Sequence, residues 1–273
     1  MKAELFLGFS LLLSSCASEP VERTIVDLST IGRPEPRKLP ARFSPGSPFK
    51  RLYAAPASPA EQPAWLERLR AAREADQRAM RSEGVAPVYG KEGYTWTTAS
   101  YVETPILVHD RFFYDPGARR YTVDRYLDDL AARFGGPDTV SLHWAYPNLG
   151  VDERNQFDLF RDLPGGGESL RRVVETFHSR GVKVLLAFHP WDQGTRAEGV
   201  HDEEALARIL KETGADGIFG DTMVAPDREF LLAAEKLGVR AVLEPEAGFG
   251  DSLEALLWSP LGWADWREYE RAP

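Results

Sequence analysis

Acidic residues stand at the ends of two apolar segments in the second half of this chain of 273 residues. Asp221 follows the small and apolar run Gly217–Gly220, and Glu244 and Glu246 flank Pro245 after a second run. A carboxylate at a strand end can attack the anomeric carbon of a sugar or stabilise positive charge that develops there. Alternation along a strand places the two glutamates on one side, and closely spaced carboxylates raise the pKa of one of them. The pattern therefore predicts a nucleophile and a general acid.

Structural explanations compete with this chemistry. Asp221 could cap the helix that follows Pro226 or be a charge on a surface loop, although Asp227 already offers a start for that helix. Glu244 and Glu246 could form a salt-bridging pair at the rim of the fold. Asp265 follows another apolar segment and is a competing acid/base. The candidates for catalysis remain these four carboxylates.

Aromatic and polar side chains cluster at the same strand ends. The faces of aromatic rings can stack on the C–H faces of sugars, and imidazole, carboxylate and guanidinium groups can bind hydroxyls. The predicted stacking residues are Trp144, Tyr146 and Trp191, with Trp263 and Trp266 as further candidates. The predicted hydroxyl-binding residues are His109, Asp110, Arg111, His143, His189 and Asp192. Each of them alone is better explained by core or rim packing, and their shared position after successive strands is the informative feature.

These positions follow from a repeated pattern of amphipathic helix, glycine and apolar strand. Apolar residues recur at helical spacing four times between Thr122 and Leu237. The helices end at Gly135, Gly181, Gly214 and Gly238, as expected where a helix terminus requires a residue tolerant of positive φ. Strands are predicted at residues 105–108, 139–142, 182–188, 217–219 and 240–243, and a sixth at 255–258. Parallel βα units place all carboxyl ends of their strands on one face, which predicts a single site.

The predicted fold class is α/β, a TIM-type (β/α) barrel of about five to six βα units. An open, doubly wound sheet is less favoured because no glycine-rich phosphate loop follows the first strand. A full barrel takes about 250 residues, and fewer follow Tyr94. We therefore expect a partial barrel that results from a truncated reading frame, with a smaller sheet as the alternative.

Four segments are predicted along the chain. Residues 1–15 form a signal peptide, 16–63 a proline-rich extended tether, 64–90 a helix and linker, and 91–273 the partial barrel. The helix itself is predicted over residues 63–82. Leu13-Ser14-Ser15-Cys16 resembles a bacterial lipobox, so we predict a lipid anchor on Cys16, the only cysteine. Ala17 favours the outer membrane as the location in the cell envelope. The alternatives are an ordinary secretory signal or a buried thiol, and a tether docked on the domain.

Composition argues against several functions. The net charge of −9, from 33 basic and 42 acidic residues, argues against nucleic acid as a partner. Neither H-x-H nor H-E-x-x-H occurs, so a metal site built from His109, Asp110, His189 and Asp192 is disfavoured. The G-x-S-x-G motif of a serine nucleophile is absent as well. We predict no metal and no cofactor.

Four stretches carry a family resemblance across residues 94–248. They are Val108–Asp115, His143–Asn148, Pro190–Thr195 and Asp216–Met223. Together they resemble bacterial glycoside hydrolases whose barrels are similar to those of α-galactosidases and α-glucosidases. The resemblance implies a glycan substrate, Asp221 as the nucleophile at the end of strand four, and an acid/base after strand six at Asp265. The chain ends before strands seven and eight of that family. The alternatives are a non-catalytic carbohydrate-binding lipoprotein, an inactive truncated barrel and a structural envelope protein.

Overall fold

A computed structural model describes residues 56, 58–82, 84, 86–192, 194–248 and 254–263, which lie within one compact unit. The predicted signal peptide, the lipidation site Cys16, almost all of the tether, and the candidates Asp265 and Trp266 lie outside the described residues. The predictions made for them therefore stay predictions.

Helix α1 spans Gln62–Ser82 and matches the helix predicted for residues 63–82. Trp65, Leu66, Leu69 and Ala72 are half-buried, and the flanking arginines and glutamates are exposed. The helix is therefore amphipathic, as its apolar spacing indicates. Among the described residues, no helix has the length and apolar character that a membrane crossing requires.

Five parallel strands form the main sheet. They are β1 (Glu103–Leu107), β4 (Thr139–His143), β5 (Lys183–Phe188), β6 (Gly217–Gly220) and β7 (Val242–Pro245), and they lie in that order. Each strand pairs with the next one along the chain, which is the arrangement that consecutive right-handed βα units produce. A small antiparallel hairpin joins β2 (Tyr114–Asp115) to β3 (Arg120–Tyr121) in the loop after β1. The sheet is compatible with part of a TIM-type barrel.

The predicted sixth strand is wrong. Residues Glu254–Leu257 form a 3-10 helix, and the amides of Trp258 and Ser259 donate to the carbonyl of Ala255. A short apolar run has no decisive period, so burial alone does not distinguish a strand from a turn of helix. Ala255 and Leu257 are buried, which explains the apolar composition without any strand pairing.

The helices between the strands are α2 (Val123–Phe134), α3 (Gln156–Arg161), α4 (Gly166–Ser179), α5 (Asp202–Thr213) and α6 (Glu229–Lys236). The four long ones match the predicted helices. Gly135 and Gly214 end α2 and α5 at φ 97° and 76°, and their amides donate to Ala131 and Leu210, as predicted for helix ends. Helix α3 and the hairpin were not predicted.

The two faces of the sheet carry different side chains. Apolar residues of alternate positions pack against the helices, among them Val140, Leu142, Leu186 and Ile218. The opposite, inner face carries a second, smaller cluster, which consists of Val88, Tyr94, Leu185, Ala187, Phe219, Leu231 and Val242. The buried polar residues Ser141, His143, His189, Asp221 and Glu244 also occupy inner positions. The helices therefore cover one apolar face of the sheet, and the inner face carries the smaller apolar cluster together with the polar residues of the site.

The sheet is strongly curved. Glu103 of β1 interacts with Glu244 of β7, although three strands lie between these two. Adjacent strands are about 4.8 Å apart, so in a flat sheet four such intervals would separate the two glutamates beyond the reach of their side chains. The inner face is therefore concave, and the strands enclose the polar residues.

Gly217 is expected to be intolerant of a side chain. A Cβ atom at this position would lie 2.1 Å from the carbonyl oxygen of Val242, which belongs to the paired backbone of β7. Because a backbone oxygen cannot rotate away, Gly217→Ala is expected to lower the free energy of unfolding by about 3 kcal/mol. Urea unfolding monitored by tryptophan fluorescence measures this change. The control is Gly90→Ala, where nothing lies within 4 Å of the added atom. Equal stability of the two variants would contradict the close approach of β6 and β7.

Candidate active site

Asp221 lies at the centre of the polar end of the sheet, directly after β6. The residue is 4% exposed, and its Oδ2 atom accepts hydrogen bonds from the Tyr146 hydroxyl, from His189 Nδ1 at 2.9 Å and from Trp191 Nε1 at 3.0 Å. Burial acts to raise the pKa of Asp221, but these hydrogen bonds outweigh it and hold the pKa well below its usual range. Asp221 is therefore ionised at neutral pH.

The register of the sheet explains why these side chains meet. Phe188 pairs with Gly220, and Gly220 pairs with Pro245. The next residues along the three strands are His189, Asp221 and Glu246, so these side chains share a level and a face. The amides of Asp221 and Glu246 donate to Phe188 and Gly220 at 2.8 and 3.0 Å, which continues the strand pairing to this level.

Glu246 forms a carboxyl pair with Asp221. Burial raises the pKa of Glu246, the hydrogen bond and charge of Asp221 raise it further, and the Thr222 amide, 2.7 Å from Glu246 Oε2, acts in the opposite direction. The net shift is upward, so Glu246 keeps its proton to a higher pH than Asp221 does. The two groups interact through a side-chain hydrogen bond, so they lie closer than the roughly 5 Å that separates the carboxyls of retaining glycosidases. A sugar between them would therefore require them to separate.

The residue after Asp221 has a strained backbone. Thr222 adopts φ 58°, a conformation that costs a β-branched residue about 1–3 kcal/mol. This conformation directs the Thr222 amide toward Glu246 Oε2. Strain of this kind is concentrated at functional sites, because a local contact compensates for it.

Glu244 lies on the same face as Glu246, as the alternation predicted, but one level deeper. It pairs in register with Phe219, is 6% exposed, and interacts with Glu103 and with the Trp263 side chain. Burial raises the pKa of Glu244, and the hydrogen bond and charge of Glu103 raise it further. Glu244 is therefore a protonated group of the interior, whereas Glu246 is the carboxyl beside Asp221.

Glu244→Gln is expected to stabilise the protein as the pH rises. The pKa of Glu244 is raised above its unfolded value of 4.5, so the folded chain keeps a proton that the unfolded chain releases. Wild-type stability therefore falls between pH 4.5 and the folded-state pKa, and glutamine removes this loss. We expect equal stability at pH 4 and a gain of about 2 kcal/mol at pH 8, measured by urea unfolding at both values. The control is the exposed Glu175→Gln, and a similar gain in that variant would contradict the assignment.

Two aromatic rings flank Asp221 at the surface. Tyr146 and Trp191 are 46% and 44% exposed, and their ring centroids are 6.2 Å apart. Burial and then the bond to Asp221 raise the pKa of Tyr146, so its hydroxyl remains a donor. Together the rings present an accessible aromatic surface directly over an ionised carboxylate.

The two histidines beneath these rings are buried. His189 is fully buried, and His143 is 5% exposed and stacks on Tyr146 with ring centroids 5.8 Å apart. Burial lowers the pKa of His143 to about 4, an effect that His189 reinforces and Asp221 opposes. His143 is therefore neutral at physiological pH and forms a wall of the site.

The remaining predicted binding residues do not contact Asp221. Trp144 is 1% exposed, packs on Phe160 in the outer core and donates to the carbonyl of Gln156, so its ring is not available for stacking. Asp192 accepts from the Gln156 amide and from Thr195. These two residues therefore bond to the backbone of Gln156 and not to Asp221.

The residues after β1 lie at its margin. His109 Nε2 is 3.0 Å from the Trp144 carbonyl, and Asp110 accepts from the Phe112 amide and closes a turn. Arg111 is exposed, and its carbonyl accepts from Arg125. Trp263 lies on the inner face against Phe219, with ring centroids 5.3 Å apart. Among the residues that the structure describes, the ones that converge on Asp221 follow β4, β5 and β7.

Two important residues were missed by the sequence reasoning. Gln156 joins three of the predicted residues, and its position was marked by the capping box that Asn155 and Asp158 form at the start of α3. Glu103 had no such signal, because its contact with Glu244 depends on the curvature of the sheet.

Two other features of the described residues concern ligands. No group of three or more histidines, cysteines, aspartates or glutamates among them could hold a metal ion. A cavity of about 480 Å³ lies apart from Asp221, between the hairpin and helices α2 and α4. None of the predicted site residues lines it.

Comparisons with known proteins find only distant structural likenesses. The chain matches no protein-family model and no curated protein sequence. It is similar to a β-arabinopyranosidase at 13% identity and a TM-score of 0.33, which covers 65% of this chain and 27% of the other. It is also similar to an α-amylase from Geobacillus thermoleovorans complexed with acarbose, at 16% identity and a TM-score of 0.36, over 55% of this chain and 47% of the other. A maltogenic α-amylase from Thermotoga neapolitana is similar at 16% identity and a TM-score of 0.32, over 55% of this chain and 46% of the other. The chain spans less than half the length of these proteins. Because the likeness is this low, the function has to be inferred from the site itself.

Proposed function

We propose that this protein is a glycoside hydrolase that cleaves a glycan with the carboxyl pair Asp221 and Glu246. One observation carries the proposal: an ionised carboxylate and a carboxyl group with a raised pKa stand side by side beneath exposed aromatic rings. Asp221 is the nucleophile, or the group that stabilises an oxocarbenium-like transition state, and Glu246 donates a proton to the leaving oxygen.

The environment supplies each group with the protonation state that its role requires. Three donors on Asp221 Oδ2 hold one oxygen in place and keep the group ionised. The substrate would reach the carboxylate when Glu246, which also bonds to Asp221, moves away from it. Glu246 is half-buried and has its pKa raised, as a general acid at neutral pH requires. Neither role needs a cofactor.

A sugar ring would stack on Tyr146 or Trp191. Both side chains are nearly half exposed, and both donate to Asp221, so a sugar on their surface would lie close to the carboxylate. His143 and His189 close the base of this site. Entry of the substrate would separate Glu246 from Asp221 to the distance that a retaining mechanism needs.

One observation favours a second function, glycan binding without turnover. Asp221 is 4% exposed and its charge is saturated by donors, so the site could hold a sugar on its aromatic surface without exposing the nucleophile. Such a protein would keep affinity for glycans and lack hydrolysis.

The lipid anchor belongs to this proposal. With Cys16 lipidated, residues 16–63 would hold the catalytic domain at the bacterial outer membrane, where extracellular glycans are accessible. Globomycin treatment of expressing cells tests the anchor. Accumulation of the unprocessed precursor is expected, and normal processing would contradict lipidation at Cys16.

The test of function combines binding and turnover on one panel of glycans. Thermal unfolding of residues 17–273 identifies oligosaccharides that raise the melting temperature, because a ligand that binds only the folded state stabilises it. Aryl glycosides of the same sugars then report hydrolysis. Stabilisation with hydrolysis would support the enzyme, and stabilisation without hydrolysis would support the binding protein. The absence of both effects would contradict both functions.

A further inference from the structure

We propose that Gln156 is a positioning residue that orients His189 and through it the charge of Asp221. Its side-chain amide donates from Nε2 to the His189 carbonyl at 3.0 Å and accepts at Oε1 from the His189 amide at 2.9 Å. One side chain thus bonds to both backbone groups of the residue whose imidazole bonds to Asp221, and the His189 carbonyl also accepts from the Asp192 amide at 3.1 Å. A catalytic consequence of this positioning rests on the proposed function, whereas the positioning itself does not.

His189 needs this contact because its neighbouring strand has ended. The Phe188 carbonyl points toward β6, where it accepts from the Asp221 amide. The backbone groups of the next residue in a strand point the other way, toward β4. Strand β4 ends at His143, and the chain turns at Ala145, whose carbonyl accepts from Asn148 and Leu149. The Gln156 amide therefore replaces the missing strand.

Gln156 is itself rigidly held. It is 1% exposed and begins helix α3. Its backbone amide donates to Asp192 Oδ2 at 2.9 Å, and its carbonyl accepts from Trp144 Nε1 at 2.8 Å. Each of these hydrogen-bonding groups is matched, so the Gln156 side chain is held in a fixed position beside His189. This also explains why Trp144 and Asp192 follow strands without reaching Asp221.

The geometry of the Asp221 site depends on this contact. His189 is fully buried, and its Nδ1 donates to Asp221 Oδ2 at 2.9 Å. Without Gln156, the His189 amide would be buried without its partner and the His189 carbonyl would lose one of its two donors, the other being the Asp192 amide at 3.1 Å. The cost of the unpaired amide is relieved when the backbone moves toward water. Such a movement would withdraw the imidazole from Asp221.

The test measures the His189 Nδ1–H group directly by NMR of protein labelled with ¹⁵N-histidine, which contains five histidines. The His189→Gln variant assigns the signal. Gln156→Met removes both hydrogen bonds, and Gln156→Glu, studied at a pH at which the new carboxyl is ionised, keeps the shape and the acceptor but loses the donor. The matched control is Asn155→Ala. Asn155 is also buried, and it bonds to the Arg196 carbonyl and to Glu198 in the loop that follows β5 and contains His189. It does not touch His189 itself.

We expect the Nδ1–H proton to exchange with solvent at least about tenfold faster in both Gln156 variants than in wild type. In Asn155→Ala the exchange rate of this proton should stay within a factor of about two of the wild-type rate, when each protein is measured the same number of degrees below its own melting temperature. Unchanged exchange in the Gln156 variants, or equal acceleration in Asn155→Ala, would overturn the inference. If Gln156→Met does not fold, Gln156→Glu provides the comparison. The readout needs no turnover. Absence of hydrolysis in the wild type would therefore contradict the proposed function without affecting this result.

Discussion

Asp221→Asn is expected to reduce glycan hydrolysis by at least about 10³-fold while the protein stays folded. Asparagine is isosteric, and its carbonyl oxygen can accept the hydrogen bonds from Tyr146, His189 and Trp191 that Oδ2 accepts. Its amide can donate to Glu246. The geometry is therefore kept and only the charge is lost. Initial rates on the best aryl glycoside measure the effect, and thermal shift on the same sugar shows that binding survives.

The matched control for this substitution lies at the other end of the same strand. Asp216 accepts from Lys183 Nζ, His178 Nε2 and the Val184 amide at 2.8, 2.7 and 2.9 Å, so it too is a carboxylate held by three donors. Asp216→Asn should lower stability and leave the rate per folded molecule unchanged. Azide should restore turnover to Asp221→Ala if Asp221 is the nucleophile. Equal loss in the two asparagine variants would assign the effect to folding.

Glu246→Gln is expected to remove the alkaline limb of the pH–rate profile. Burial and Asp221 raise the pKa of Glu246, so under the proposed function the wild type loses activity as the pH rises through that raised pKa and the catalytic proton leaves. Glutamine cannot donate this proton. Hydrolysis of substrates with poor leaving groups should fall by about 10²–10⁴-fold, while activated aryl glycosides are cleaved with little loss. Rates from pH 4 to 10 on both classes of substrate measure this.

Glu244→Gln is the control for that experiment. Glu244 lies two residues before Glu246 and points to the same face of the sheet. It lies at the level of Phe219, below Asp221, and interacts with Glu103. It should keep the wild-type pH–rate profile despite its altered stability. If Glu244→Gln and not Glu246→Gln loses the alkaline limb, the acid is the deeper glutamate and the role assigned to Glu246 is wrong.

The local elements could be predicted from sequence because their signals are short in range. The helical spacing of Val123–Phe134 and the positive φ at Gly135 each depend on a few neighbouring residues. Five strands were found for the same reason, and the sixth failed because the run at residues 255–258 is too short to show a period. Helix α3 was missed although Asn155 and Asp158 marked its start.

The sequence by itself also determined which chemistry could occur at the strand ends and that Glu244 and Glu246 share a face, because residues two apart on a strand point the same way. It did not determine which of them meets Asp221, since that depends on the register of β7 against β6. Nor did it determine that Glu103 reaches Glu244, or that Gln156 replaces a missing strand beside His189. These contacts join residues far apart in the chain, so only the curvature and register of the folded sheet decide them.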